Sequence, residues 1–430
     1  MIEMLAGELV SLPSGWKWQK VEDLLYEGHR DTDIRQGKNP SSGLTEYIEG
    51  KIPFYEGGDV KGRKFLENAT RSISEKAFKS TYQLAPYDLL IKRIGSYAGQ
   101  SSILKEEASA NAQIFGARFN QQKVDVAYIY WWFKSKYVRD RFANALKGAN
   151  QRYITKNDIA ELPIPIPYPG EDRSLVTQHL LLQRLEARMK DLDISCNLHE
   201  RMNKSVDRLL EAALEDIFSE SSRNTWKNKG RIRDFVECFE KVEKRVKIDR
   251  IDDIKLLRYI IGSDIAEGTG VLVGNRTWNE SNVQRPPYLF AAGTVLYQMR
   301  DIDLRRVAYV NFDGSHGEDI YPLRILSTVK LSPRFLKWLL LTPHFTQYAI
   351  ENSEDESKGE GKKRPRLNKR KLLDYKIAFP DEDDQQRILS NLELVLTNCN
   401  ELQVILAEEK TAIEQLEMSI LDQAFLKGKL

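Results

Sequence analysis

Two stretches of this chain carry side chains of the right types and spacing to grip a phosphate or read a base edge. In "LLIKRIGSYAGQSSIL" (89–104), Lys92, Arg93, Ser96, Tyr97 and Gln100 lie on and around a loop made supple by Gly95 and Gly99. In "GANQRY" (148–153), Asn150, Gln151, Arg152 and Tyr153 offer both amide and cationic donors. A third stretch, "KGEGKKRPRLNKRK" (358–371), packs eight Lys or Arg into fourteen residues, among them Lys362, Lys363, Arg364, Arg366, Lys369 and Arg370. Cations of this kind neutralise phosphates without regard to sequence, whereas amides and guanidinium forks discriminate base edges in a groove. The formal net charge is only +2, so any attraction for a polyanion has to be local.

Other chemistry finds little support in the residues. "RPPY" (285–288) has the shape of a loop that holds a flipped base, but Arg285 stands where an acceptor for an amino group is needed. "EGTGVLVG" (267–274) lacks a convincing strand–turn–helix setting, and no GxxxxGK[ST] segment is present. The five histidines are scattered, and Cys196, Cys238 and Cys399 form no metal spacing and no disulfide framework. These cysteines, no signal peptide in the opening residues and no apolar run near the ~20 residues of a membrane span predict a cytoplasmic protein.

The elements that position these residues repeat. "YDLLIKRIGSYAGQSSIL" (87–104) aligns with "GTVLYQMRDIDLRRVAYV" (293–310) at an offset of 206, which makes Arg300 a further candidate. At the same offset Trp132 meets Trp338. "IAELPIPIP" then aligns with "LLDYKIAFP" at 213, setting "GANQRY" against the basic stretch, with Gly148 over Gly361. Each half reads as a strand-rich mixed domain, then an aromatic amphipathic helix (126–146 and 332–350), then a proline-bearing exit. The tryptophans on those helices are expected in the core.

Each half closes with a long helix, expected over roughly 174–220 and 382–428. In the second, Ile388, Leu392, Val395, Cys399, Leu402, Leu406, Ile413, Leu416 and Ile420 follow steps of four and three. In the first, Leu181, Leu185, Leu192, Met202, Val206, Leu209 and Ala213 keep that stripe. A narrow apolar seam needs a partner helix, and two helices of equal length predict an antiparallel pair. At 1.5 Å per residue, forty-six residues would span roughly 69 Å, so the pair would act as a ruler. The prolines of "LPIPIPYPGED" (162–172) keep the chain extended, so that each domain passes its orientation to its helix without swivelling. "YKIAFPDEDD" (375–384) has fewer prolines, which predicts a looser second junction.

The chain resembles the specificity subunits of type I restriction–modification systems. The resemblance rests on "LPSGWKW" (12–18) followed by "VEDLL", on the Gly-containing strand–loop, on "GANQRYITKNDIAELPIPIP" (148–167), and on the helix ends "LLEAALEDIF" and "SILDQAFLKGKL". It covers essentially all 430 residues. The second half departs from it: "NTWKNKGRIRDF" keeps Trp226 one position out of register, and "RDIDLRR" replaces the glycine loop. The resemblance implies an α+β fold: two mixed α/β target-recognition domains (1–170 and 223–380), joined and spaced by two long antiparallel coiled-coil helices (171–222 and 381–430), with a pseudo-twofold internal repeat. It implies a non-catalytic subunit that binds a bipartite site in double-stranded DNA and docks two methyltransferase subunits and restriction/translocase subunits. S-adenosylmethionine would belong to the methyltransferase partner, ATP and Mg to the restriction partner, and no cofactor to this chain. Two other classes stay open on the residues alone: a coiled-coil scaffold that reads no DNA, and a self-contained adenine methyltransferase.

Overall fold

The computed structural model describes every residue except 1–2, 6–7, 41–49, 149–151, 229–231, 241–255, 282, 284–286, 356–364 and 430. The chain divides into two compact units, one of residues 1–198 and 409–430, the other of 199–408.

In the first unit, four antiparallel strands run in the order Ile34–Gln36, Ile114–Ala117, Leu89–Lys92, Ser101–Ile103. Short alternating apolar runs cut by Gly and Asn favour strands of this kind over helix. A smaller sheet pairs Ile52–Tyr55 with Arg71–Ile73 antiparallel and with Ser109–Ala110 parallel. In the second unit, Thr294–Gln298 lies between Val307–Val310 and Ile320–Leu323, all antiparallel. Beside it Gly314–His316 pairs parallel with Arg258–Ile260 and antiparallel with Tyr288–Phe290.

The aromatic segments lie where expected, but each is two helices. Val126–Lys134 ends at Ser135, whose extended backbone and hydroxyl cap the next helix, Lys136–Ala145. Pro333–Leu340 is followed by Pro343–Glu351, capped by Thr342. A side-chain oxygen that satisfies the free N–H groups of a new helix ends the old one. Trp132 and Trp338 are fully buried at the centres of their units.

The prolines of the first junction are a strand. Pro163–Pro167 pairs antiparallel with Trp16–Lys20, so that Ile164 faces Gln19 and Ile166 faces Lys17. In a strand each residue turns its N–H and C=O to the same side, so alternate prolines place their missing N–H groups away from the partner strand. Their carbonyls are satisfied from that side by side chains: Trp132 Nε1 donates to Pro163 at 2.9 Å, Tyr128 Oη to Pro165 at 2.7 Å and Ser174 Oγ to Pro167 at 2.6 Å. In the second unit Lys376–Ala378 pairs with Ile232–Asp234, so "RIRDF" is the strand counterpart there. Trp226 lies instead on the helix Glu220–Asn228, edge-on to Phe218 and Phe335.

The long helices span Arg173–Ile217 and Glu382–Lys427. Asp381 caps the second through the Asp384 N–H at 3.0 Å. In the first unit Leu181, Leu185, Met189 and Leu192 share a core with Ile420, Leu421, Ala424 and Phe425. In the second, Leu210, Leu214 and Phe218 share one with Leu389 and Leu392, and Val206 clusters with Cys399 and Leu406. The buried stripe differs from the expected one in part: Met202, Leu209, Leu402 and Leu416 are exposed, while Met189, Leu210 and Leu214 take inner positions. One residue of slip turns a helix by ~100°, and an apolar run on two faces leaves the choice of inner face to tertiary packing.

Candidate nucleic-acid interface

The loop after Leu89–Lys92 closes on itself through Gly99 N to Lys92 O and Lys92 N to Gln100 O, both 2.7 Å. Gly95 and Gly99 take left-handed backbone angles (φ 97° and 95°), and a Cβ at Gly99 would strike the Phe142 ring. Glycine at that position is therefore a steric requirement of the turn. Against the loop lies the second candidate segment, held by Gly95 N to Arg152 O (2.9 Å) and Ile154 N to Arg93 O (3.0 Å). The described residues of the two predicted sets thus lie side by side.

Their roles separate by exposure. Ser96, Tyr97 and Arg152 are exposed, and the Lys92 ammonium lies 5.6 Å from the Tyr97 ring centre. Arg93 is drawn inward: its guanidinium stands 5.3 Å from the Tyr153 ring and 5.9 Å from Phe115, and Nη1 donates to Ala112 O at 3.3 Å. Arg93 and Tyr153 therefore support the surface more than they reach from it. Gln100 lines a cavity of about 430 Å³ with Ser96, Tyr97, Lys61 and Arg139. Lys61 and Arg139, brought in from other parts of the chain, are cations that no local pattern marks.

The second unit builds the same junction from different residues. Asp301 N donates to Pro365 O (3.1 Å) and Leu367 N to Met299 O (2.8 Å), and Gln298 N donates to Arg306 O (3.1 Å). These pairs stand at offsets of 206 and 213 from their counterparts, the offsets at which the halves align. Asp301 and Arg305 occupy the positions of Gly95 and Gly99 and take the same left-handed angles (φ 52° and 48°). That conformation costs a side-chain-bearing residue about 1–2 kcal/mol. Arg305 Nη1 is held by Glu211 Oε1 at 2.8 Å, a contact that helps to fix the turn.

Around it stand the remaining candidates. Arg300 Nη1 lies 3.4 Å from Asp319 Oδ2, and Arg366 Nη2 lies 3.9 Å from Asp319 Oδ1. Lys369 is exposed with its ammonium 5.1 Å from the Tyr321 ring centre, and Arg370 is exposed on the helix Lys369–Leu373. The hairpin Glu354–Asp355 with Pro365–Arg366 brings both flanks of the basic stretch to this place. Asn150, Gln151, Lys362, Lys363 and Arg364 lie outside the described residues. Asp319, which joins two of the arginines, was not foreseen; one acid in a loop gives no sequence signal. It lines a cavity of about 430 Å³ with Gln298, Tyr288 and His316. Burial pushes His316 down to about 4, and with Nδ1 donating to the Gly317 carbonyl at 2.8 Å the ring is neutral near pH 7.

Among the described residues no group of His, Cys, Asp and Glu could hold a metal ion, and no helix is long and apolar enough to cross a membrane. The described surface offers hydrogen-bond donors and cations.

Residues 13–202 match the family model of the type I restriction modification DNA specificity domain. Over 79% of its length the chain is 21% identical to the type I restriction enzyme EcoDI specificity subunit of Escherichia coli, covering 80% of that protein. It is 20% identical to the StySPI specificity subunit of Salmonella potsdam, over 97% of this chain and 90% of that one. The fold is shared with a chain solved in work on complex assembly and conformational transition of the type I R-M system (TM-score 0.72, 16% identity, 96% of this chain and 98% of that one). It is also shared with the HsdS subunit from Thermoanaerobacter tengcongensis (TM-score 0.54, 17% identity, 96% and 97%). Residues 13–202 thus match the type I restriction modification DNA specificity domain, and most of the chain is similar to type I restriction enzyme specificity subunits.

Proposed function

We propose that this non-catalytic subunit reads a bipartite site in double-stranded DNA, one part with each unit. The observation that carries the reading is the recurrence of one junction in both units. A left-handed loop is bonded to a polar or basic segment through corresponding backbone groups, although the side chains differ almost completely. Shared geometry with divergent side chains is what two readers of different base sequences need.

The long helices would then pair antiparallel as a coiled coil and fix the distance between the half-sites. Support comes from within each unit, where the early part of one helix shares a core with the late part of the other. The internal repeat would carry a pseudo-twofold relation. Their outer faces suit partner docking: Val176, Leu180, Ile194 and Leu198 are exposed in the first unit, as are Met202, Leu209, Leu394, Val404 and Ile405 in the second. Apolar residues in such number on solvent-facing helix surfaces mark an interaction site. We assign it to two methyltransferase subunits, which would hold S-adenosylmethionine; restriction subunits using ATP and Mg would complete the assembly.

Replacing Lys362, Lys363, Arg364 and Arg366 by Gln is expected to weaken DNA binding and flatten its salt dependence. Each lost phosphate contact lowers the slope of log K against log salt by about 0.9. Titrations at several salt concentrations measure it. An unchanged slope would return the segment to solvent and remove the second unit's share of the reading.

A further inference from the structure

Gln178 lies near the start of the first long helix, and its side chain is fully buried (0% exposed). Its Oε1 accepts from the Asp125 N–H at 3.0 Å. Its Nε2 donates to the Lys123 carbonyl and to Ser174 Oγ, both at 3.2 Å, while Ser174 Oγ donates to Pro167 O. Gln385 holds the corresponding place in the second long helix, 1% exposed. Its Oε1 accepts from the Ser332 N–H at 2.8 Å, and its Nε2 donates to the carbonyls of Lys330 and Pro380, both at 2.9 Å.

Two of the three partners match in kind, a backbone N–H and the carbonyl two residues before it; the third is the Ser174 hydroxyl in the first unit and the Pro380 carbonyl in the second. Asp125 and Ser332 are the residues before the helices that carry Trp132 and Trp338. Pro167 and Pro380 are the prolines through which each domain leaves for its long helix. The amide orientation is forced, since a backbone N–H only donates and a carbonyl only accepts. A primary amide offers two N–H groups and one carbonyl, and here all three are used: Gln385 ties its helix to the aromatic-helix cap and the proline exit directly, and Gln178 reaches the exit through Ser174. Neither glutamine is among the candidate DNA-binding residues.

We infer that Gln178 and Gln385 are positioning residues that lock each long helix to its own domain and so set the register between the half-sites. This rests on the bipartite reading above. A coiled coil can measure a distance only if its ends do not swivel, and the glutamines add to the stiff exit a hydrogen-bonded tie to the helix itself. The glutamines tie the first turns of the helix to the element at the domain's core.

The test uses the full-length chain assembled with its methyltransferase subunits, on duplexes carrying the target with the natural gap or with one base pair more or fewer. Gln178→Met and Gln385→Met keep the length of the side chain and remove its hydrogen bonds. Both are expected to reduce the preference for the natural gap by about tenfold, with base preference within each half-site unchanged. Preference for the gap equal to that of the unaltered complex would overturn the inference and leave the bipartite reading standing. An unaltered complex indifferent to the gap would overturn both. Loss of gap and base preference together would also overturn it, since that marks general damage. Where a Met variant does not fold, Ser174→Ala removes one hydroxyl of the same network, and a smaller shift in the same direction is expected. No shift in a folded Ser174→Ala protein would count against the inference.

Discussion

Inserting one heptad after Leu198 and another after Glu408 is expected to lengthen the gap in the recognised DNA and to leave both half-sites as they are. Seven residues keep an apolar seam on the same side of each helix, because the seam repeats every 3.5 residues. The insertion adds about 10.5 Å along the axis, the rise of roughly three base pairs. The helices divide between the compact units at these points, so neither domain core is touched. On the original target the lengthened protein could engage only one half-site at a time, and losing simultaneous engagement costs about 10²–10⁴ in affinity. Binding to a set of duplexes differing only in gap length measures this. An insertion that changes the bases preferred within a half-site would contradict the ruler.

Phe425→Ala is expected to destabilise the first unit by about 3–5 kcal/mol, the usual cost of emptying a buried aromatic site. Phe425 is fully buried, with its ring edge-on to Tyr128 at 4.8 Å and tilted against Trp132 at 5.4 Å. Those same two residues donate to the proline carbonyls, so the cavity would open beneath the exit strand. Phe218→Ala is the counterpart in the second unit, where Phe218 meets Phe335 at 5.3 Å and Trp226 at 6.0 Å. Amide exchange read peptide by peptide separates the two. With Phe425→Ala, protection should fall about 10²–10⁴-fold over 126–145 and hold over 294–340, and with Phe218→Ala the reverse. Equal loss in both regions would mean that the units do not unfold independently.

Several of these features could be read from the residues. The offsets of 206 and 213 bring Gly95 over Asp301 and Arg152 over Pro365, and the backbone bonds fall at those positions. The long helices are legible because forty residues of stepped apolar side chains have few other uses. What was hidden depends on distant partners. "PIPIP" gives no local sign that its carbonyls take bonds from Tyr128, Trp132 and Ser174. Gln178 and Gln385 look like any polar helix residue until the segments around Lys123 and Lys330 are seen to cover them. Glycine is the usual sign of a left-handed turn, so Asp301 and Arg305 concealed theirs, with Arg305 additionally held by Glu211. Beyond His199 the expected stripe of the first helix holds at Val206 but not at Met202 and Leu209, which are as apolar as the buried Leu210 and Leu214.

On the reading proposed above, this chain would give a modification complex its bipartite DNA target. Mapping methylated adenine across the host genome, with the gene present and with it deleted, tests that most directly. On deletion, one motif of two short defined parts separated by a fixed gap is expected to lose its methylation, all others being unchanged. A methylation map that is the same with and without the gene, or the loss of a single continuous motif, would contradict it.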